Sequence, residues 1–330
     1  MDHFRFYHHE IPPFLEEFSS VPIVRRLQCI GMNCGCEYTD FPLFRNIRSY
    51  SRYDHSMGVA LIVWHFTQNC PQAVAGLLHD IATPVFAHVV DFLNGDYLQQ
   101  ESTEADTEAI IAGSSELQKL LKENSLSTPD VCDYHRYPIA DNESPRLSAD
   151  RLEYSLGNMI NFGICTAETV RQFYADLTVG TNEISQEELM FRTPRTAEAF
   201  AMAALNCSRI YVSEEDRYSM QILSEVLRYA VDQGILTRND LYTTEPEVIA
   251  KLQQDERTAA LWEEFRSLHQ IIRSDFRADS EKWRIIRAKK RWIDPFVENC
   301  GRVSMLSSLF YNAKEQFLRT SQDYPICGIS

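Results

Sequence analysis

The chain has 330 residues, with 32 basic and 47 acidic side chains and a formal net charge of −15. That balance argues against a protein that grips long nucleic acid, because phosphate-backbone binding needs a clustered basic surface that releases counterions. Apolar residues at 44% and charged residues at 24% exclude a disordered chain and support a large core, and the length suits about two domains or one enlarged helical domain.

The segment MDHFRFYHHEIPPFLEEF at the start holds no apolar stretch of the secretory kind. The longest apolar run, Met57 to Trp64, is far short of the roughly 20 residues a spanning helix needs, so a cytoplasmic chain that meets no membrane is expected. Nine irregularly spaced cysteines fit reduced thiols, and Cys34-Gly-Cys36 lacks a second pair at zinc-ligand spacing.

In chain order, residues 30–52 mix glycine, cysteine and Pro42 with β-branched and aromatic residues and predict a loop with a short hairpin. His55 precedes an apolar helix marked by Val59, Ile62, Val63 and Phe66. Asn69 and Pro71 open the next helix, AVAGLLHD, which ends at Ala82-Thr83-Pro84 because the residue before proline is pushed out of the helical region. Ser148 is the expected N-cap of a helix carrying Asp150 in its first turn, with Leu152, Leu156 and Met159 on its apolar face. Polar segments interrupt the periodicity over residues 178–196 and mark a soft boundary. Helical spacing returns at Phe200, Ala203 and Leu205 and at Ile222, Val226, Leu227 and Ala230. The basic run from Lys282 to Arg291, with Trp283 and Trp292 interleaved, reads as the wet face of an amphipathic helix. The expected fold is therefore all-α, with a core over residues 1–180 and a helical C-terminal portion over 181–330 packed on it.

Four groups have the chemistry of a site: His55, the pair His79-Asp80, and Asp150. The pair ends an apolar run, where an ionised aspartate is expensive unless it meets a cation or a donor. Imidazole nitrogen with carboxylate oxygen is a ligand mix that suits Zn, Fe, Mn, Co or Ni and leaves positions for water and a phosphate oxygen. His65 and His135 are read as satisfied structural histidines.

Four ordered segments carry a resemblance: Pro22-Ile-Val-Arg-Arg-Leu, Ser51-Arg-Tyr-Asp-His55-Ser-Met-Gly-Val, His79-Asp-Ile-Ala-Thr-Pro-Val-Phe-Ala-His88, and Ala149-Asp150-Arg-Leu-Glu-Tyr154. Together they resemble the HD-domain metal-dependent phosphohydrolases, nearest the deoxynucleoside triphosphate triphosphohydrolase branch. The resemblance implies an all-helical HD-domain bundle with the metal between helices, held by His55, His79, Asp80 and Asp150. The ion would be one of Mn, Fe, Zn, Ni, Co or Mg. Asp80 would bridge ligand and base roles, His88 would stand beside the reacting phosphate with Asp91 orienting it, and Arg52, Arg151 and Tyr154 would contact substrate. Arg25, Arg26, Arg45 and Arg48 read as solvated surface charges instead.

The chain departs from that branch at Thr83, where a second histidine is usual, at Gln100-Glu101 in place of His-Glu, and at Gly157-Asn158 in place of Arg-Asp. These changes thin the outer acid/base groups, and losing a general acid typically costs about 10²–10⁴ in rate. The expected activity is hydrolysis of a phosphate ester or anhydride, most simply of a nucleotide, by an enzyme that the resemblance makes a homo-oligomer. The competing reading is a non-catalytic HD protein that binds a nucleotide and regulates.

Overall fold

The computed structural model describes residues 6–90, 106–274 and 282–330. Two helices, α1 (Pro13–Ser20) and α2 (Pro22–Arg25), each open with a proline in the first turn, where the missing N–H costs nothing. Then come α3 (Arg52–Thr67), α4 (Cys70–Leu78), α5 (Thr107–Gly113), α6 (Ser115–Glu123), α7 (Thr128–Val131), α8 (Ala149–Asn161) and α9 (Ala167–Ala175). After a β-hairpin the chain continues through α10 (Pro194–Ile210), α11 (Glu214–Asp232), α12 (Glu245–Leu252) and α13 (Glu256–Arg266), and it closes with α14 (Val303–Leu306) and α15 (Ser308–Arg319).

The all-α expectation is overturned. The structure is 56% helical and, among the described residues, carries six strands in two small sheets, a mixed α/β fold. Strands β1 (Leu177–Thr181) and β2 (Glu187–Phe191) pair antiparallel from Leu177↔Phe191 to Thr181↔Glu187. The polar stretch between them is the hairpin turn, with Asn182 accepting from the backbone of Ile184 and Gln186 and Ser185 in the left-handed region. What looked like an interruption of helical period is thus a turn signal between two strands.

Two-residue strands β4 (Phe296–Val297) and β5 (Gly301–Arg302) extend that sheet in the order β1-β2-β4-β5. Separately, β3 (Gln270–Arg273) pairs antiparallel with β6 (Ile326–Ile329).

Two other expectations change. Residues 30–52 form turns and a 3₁₀ segment rather than a hairpin, and the only strand-like pairing there is a bridge between Gly31 and Ser51. Within the described part of the basic run, residues 283–291 form no helix and run as irregular chain with one bridge, Arg284↔Ile326. Its charges are drawn to separate partners, Lys282 to Glu264, Arg284 to Glu225 and Arg287 to Asp323, which holds the segment out of a helix.

Every residue of α3 from His55 to Val63 is buried, so this helix is surrounded rather than amphipathic. One apolar cluster gathers α3, α4, α8 and α10, and a second gathers the 34–44 loop, the 85–90 turn and α11–α13. Residues on both sides of 180 enter each cluster. No described helix is long and apolar enough to cross a membrane, and all nine cysteines are free thiols.

Candidate metal centre

Local sequence places each of the four groups. Ser51 caps α3 in a capping box, its Oγ accepting from Asp54 N at 3.1 Å while Asp54 Oδ2 accepts from Ser51 N at 2.9 Å. The helix therefore begins at Arg52, and His55 lies in its first turn rather than before it. Asn69 caps α4 as expected, and His79 is its C-cap. Ser148 caps α8 by accepting from Arg151 N, which puts Asp150 in the first turn.

α3 packs against both α4 and α8, and this brings the four together. The donor atoms of His55, His79 and Asp80 all lie within 4.8 Å of one another. Asp150 Oδ1 is 3.0 Å from His55 Nε2 and 3.8 Å from His79 Nε2. Asp80 Oδ2 is 4.0 Å from His55 Nε2 and 3.6 Å from His79 Nε2. His55, His79 and Asp80 make one compact donor set for a divalent ion, whose donors stand about 2.1 Å from it, and Asp150 Oδ1 adds a carboxylate oxygen beside both imidazoles.

Each imidazole is oriented from its far side. His79 Nδ1 bonds the Gly76 carbonyl at 2.7 Å, so Nδ1 carries the proton and Nε2 presents its lone pair to the centre. His55 Nδ1 is 2.6 Å from Glu153 Oε2. Burial depresses the His55 pKa, but hydrogen bonds to Asp150 and Glu153 outweigh it and raise it to about 10. The acids thus hold positive charge at the spot where a dication would sit, which is the fit expected of a metal site.

Glu153 is fully buried and also accepts from Tyr7 at 3.0 Å and from Tyr50. Residue type and spacing in the sequence do not single it out among the candidate groups. The available signal was a carboxylate one turn past Asp150 in a helix with apolar Leu152 and Leu156, where burial demands partners.

The surrounding cations divide. Arg52, nearly buried, places Nη1 3.1 Å from Asp80 Oδ2. Burial alone would raise the Asp80 pKa, but Arg52, His79 and His55 hold it well below the usual carboxylate range. Thr83 Oγ1 donates to the other oxygen of Asp80 at 2.9 Å. Arg151 turns instead to the loop before α8, pairing with Asp141 at 3.0 Å and donating to the Arg146 carbonyl at 2.7 Å. Tyr154 stands with its ring centroid 6.4 Å from His55, and burial followed by Asp150 pushes its hydroxyl up to about 12.

Arg25, Arg45 and Arg48 are exposed, but Arg26 is not the surface charge expected of it. Its guanidinium donates to the carbonyls of Ile81 (2.9 Å), Thr83 (2.8 Å) and Thr243 (3.2 Å), and burial lowers its pKa to about 10. It clamps the turn that follows His79-Asp80.

The next turn carries His88, half-buried, after Phe86 and Ala87 at φ of 57° and 46°. Such left-handed backbone is unfavourable for side chains with a Cβ and persists only where neighbours impose it. Glu245 does so by accepting from Phe86 N at 3.2 Å, from Gly31 N at 3.0 Å and from Tyr38 at 2.8 Å. Burial and the adjacent Glu245 push the neighbouring Glu37 carboxyl up to about 7. Asp91, its expected pairing with His88, and Gln100-Glu101 lie outside the described residues.

No family model matches the chain. It is 25% identical to an uncharacterised protein of Bacillus subtilis (strain 168), YdhJ, over 293 residues, covering 88% of this chain and 85% of that protein. It is also 25% identical over 208 residues to the metal-dependent phosphohydrolase cns2 of Cordyceps militaris, covering 62% of this chain and 55% of that protein. A solved phosphohydrolase structure from Bacteroides thetaiotaomicron VPI-5482 superposes with a TM-score of 0.66 at 14% identity, over 97% of this chain and 96% of that one. A hypothetical protein from Aquifex aeolicus gives 0.66 at 16% identity, over 96% and 93%. At these identities the solved structures show a shared fold that runs along nearly the whole chain, and the named sequence relative is a metal-dependent phosphohydrolase.

Proposed function

We propose that this chain is a divalent-metal-dependent phosphohydrolase of the HD type that cleaves a phosphate ester or anhydride of a nucleotide. The observation that carries the reading is the gathering of His55, His79 and Asp80 into one donor set, with Asp150 of a third helical segment 3.0 Å from His55 Nε2 and 3.8 Å from His79 Nε2. The likeness to a metal-dependent phosphohydrolase supports it. A divalent ion held by these four would polarise a phosphoryl oxygen and lower the pKa of a water toward neutrality.

The chain's own residues supply orientation and charge. Gly76 and Glu153 fix the two imidazoles with Nε2 inward. Arg52 keeps Asp80 ionised and sets a permanent cation at the edge of the site, which suits an anionic substrate. Tyr154 offers an aromatic face for the sugar, and His88 is the group assigned to the reacting phosphate. Arg151 contributes by holding the loop that starts α8. Thr83, bonded to Asp80 where triphosphohydrolases carry a histidine, favours nucleotide phosphoesters other than the triphosphates of that branch.

The test is phosphate release from a panel of nucleotides by the chelator-stripped chain reloaded with Mn²⁺, Co²⁺, Ni²⁺ or Zn²⁺. Release that requires metal and is lost in Asp80→Ala is expected. No release with any metal overturns the enzyme, and nucleotide binding without release would make the chain a nucleotide-binding regulator.

A further inference from the structure

A second set of imidazoles gathers away from this centre. His8 and His9 lie in the segment before α1, and His65 lies in the last turn of α3. Nδ1 of His8 is 3.2 Å from Nδ1 of His65, and the two rings meet at 71° with centroids 5.5 Å apart. The His9 ring centroid is 4.5 Å from that of His8. Two nitrogens bound to one tetrahedral zinc at about 2.0–2.1 Å stand roughly 3.3 Å apart. The His8–His65 pair is already at that separation.

The surroundings suit an ion as well. The three histidines border a cavity of ≈ 680 Å³ shared with Tyr174, Thr178 and Arg192, so a position opposite the rings is open to water or a small anion. His8 is half-buried while His9 and His65 are exposed; the three donors are not yet grouped at ligand spacing, so His9 would have to turn toward the His8–His65 pair to complete the set. Burial first, then neighbouring imidazoles, hold the His8 and His65 pKa values below the ordinary one, so both rings are in the neutral form that ligates. The proposed phosphohydrolase chemistry uses none of these side chains.

We propose that His8, His65 and His9 form a second metal site, for a borderline transition-metal ion such as Zn²⁺, separate from the His/Asp centre. An all-imidazole set favours Zn²⁺, Ni²⁺ or Cu²⁺ over Mg²⁺ or Ca²⁺, which prefer oxygen. Three nitrogens leave a fourth position toward the cavity. An ion here pins the segment of Tyr7 to the end of α3, and the Tyr7 hydroxyl is a donor to Glu153 behind His55. The site would therefore brace the wall of the first centre.

Zinc alone is the probe, titrated into chelator-stripped full-length protein in an Asp80→Ala background that weakens the first centre. The expected result is that one bound equivalent disappears when His8→Gln and His65→Gln are added, together with the rise in Tm that zinc gives the Asp80→Ala protein. His65→Gln alone, on an exposed helix position, should give the same loss with no substitution in the N-terminal segment. Equal zinc binding with and without the histidine substitutions, or no zinc bound by the Asp80→Ala protein, overturns the site and leaves His8–His65 as an N–H···N hydrogen bond.

Discussion

Glu153 shows how much of the candidate centre is set behind the residues that would hold the ion. Its two oxygens take three donors, from Tyr7, Tyr50 and His55, inside a fully buried site. An amide has a single acceptor oxygen and brings an NH₂ that meets other donors, so Glu153→Gln leaves at least one buried donor unpaired. We expect a loss of about 1–3 kcal/mol in stability and about 10–100-fold in metal affinity at the His/Asp centre. Isothermal titration of the stripped variant with Mn²⁺ reads the second figure, and an unchanged affinity would remove Glu153 from the metal's support.

A second residue-level expectation concerns pH. Glu37, raised from 4.5 to about 7, stays protonated in the folded chain after its unfolded counterpart has ionised. The native state then binds more protons than the unfolded one, so stability falls as pH rises across that window and levels off above it. The slope is at most about −1.4 kcal/mol per pH unit for one group. Glu37→Gln should flatten the curve between pH 5 and 7 in urea denaturation (about the window given by the shift), and parallel curves for the two proteins would show that the carboxyl is not the cause.

At the scale of elements, α3 and α8 meet so closely that glycine is required between them. A Cβ on Gly58 would lie 2.6 Å from Glu153 Cγ and Oε1, and one on Gly157 would lie 2.7 Å from the Tyr50 hydroxyl. Alanine normally stabilises a helix interior by up to about 1 kcal/mol over glycine, but Glu153 is held on three sides and has no room to yield. Gly58→Ala should therefore cost about 1–3 kcal/mol by overpacking. Gly113, at the end of α5, has nothing within 4 Å of such a Cβ, so Gly113→Ala should gain a few tenths to about 1 kcal/mol. Opposite signs in chemical denaturation are the expected outcome. A gain at both positions would mean the helices separate easily.

Elements whose ends are written in short-range chemistry were legible. Ser148 and Asn69 cap their helices because a side-chain oxygen reaches an N–H two or three residues on, which is a local matter. The hairpin of β1 and β2 was not legible, because five-residue strands with one edge in solvent carry too short a period to outweigh the helical pattern on either side. The basic run failed for another reason. Its partners Glu264, Glu225 and Asp323 come from distant parts of the chain, and helical spacing says nothing about them.

Across the whole molecule, the small sheet supports the site from a distance. Glu188 of β2 is fully buried, pairs with Arg302 of β5, and accepts from Leu147 N at 3.1 Å, directly before the cap of α8. Arg302 also pairs with Glu183 at 2.8 Å, so one guanidinium joins the C-terminal strands to the hairpin and, through Glu188, to the helix that carries Asp150. Removing one partner of a buried pair typically costs about 3–5 kcal/mol. Arg302→Ala should lose stability on that scale by urea denaturation, and a loss below about 1 kcal/mol would show the pair to be effectively solvated.

The net charge of −15 is likewise resolved by placement. Acid surplus collects over residues 101–143, which hold ten Asp or Glu against three Lys or Arg, while Arg52 and Arg26 sit beside or just behind the centre. Such an arrangement suits a small phosphorylated ligand better than a long polyanion.

The sequence by itself determined the four metal-binding candidates and the helices that present them, because residue type, capping and apolar period are properties of neighbours in the chain. Only the tertiary structure decided that Glu153 and two tyrosines stand behind His55, that Arg26 clamps a turn, that Arg151 serves a loop, and that a sheet braces α8. Each of those depends on which distant segments meet, and burial makes the meeting consequential, since a charge removed from water must find its partner wherever the fold provides one.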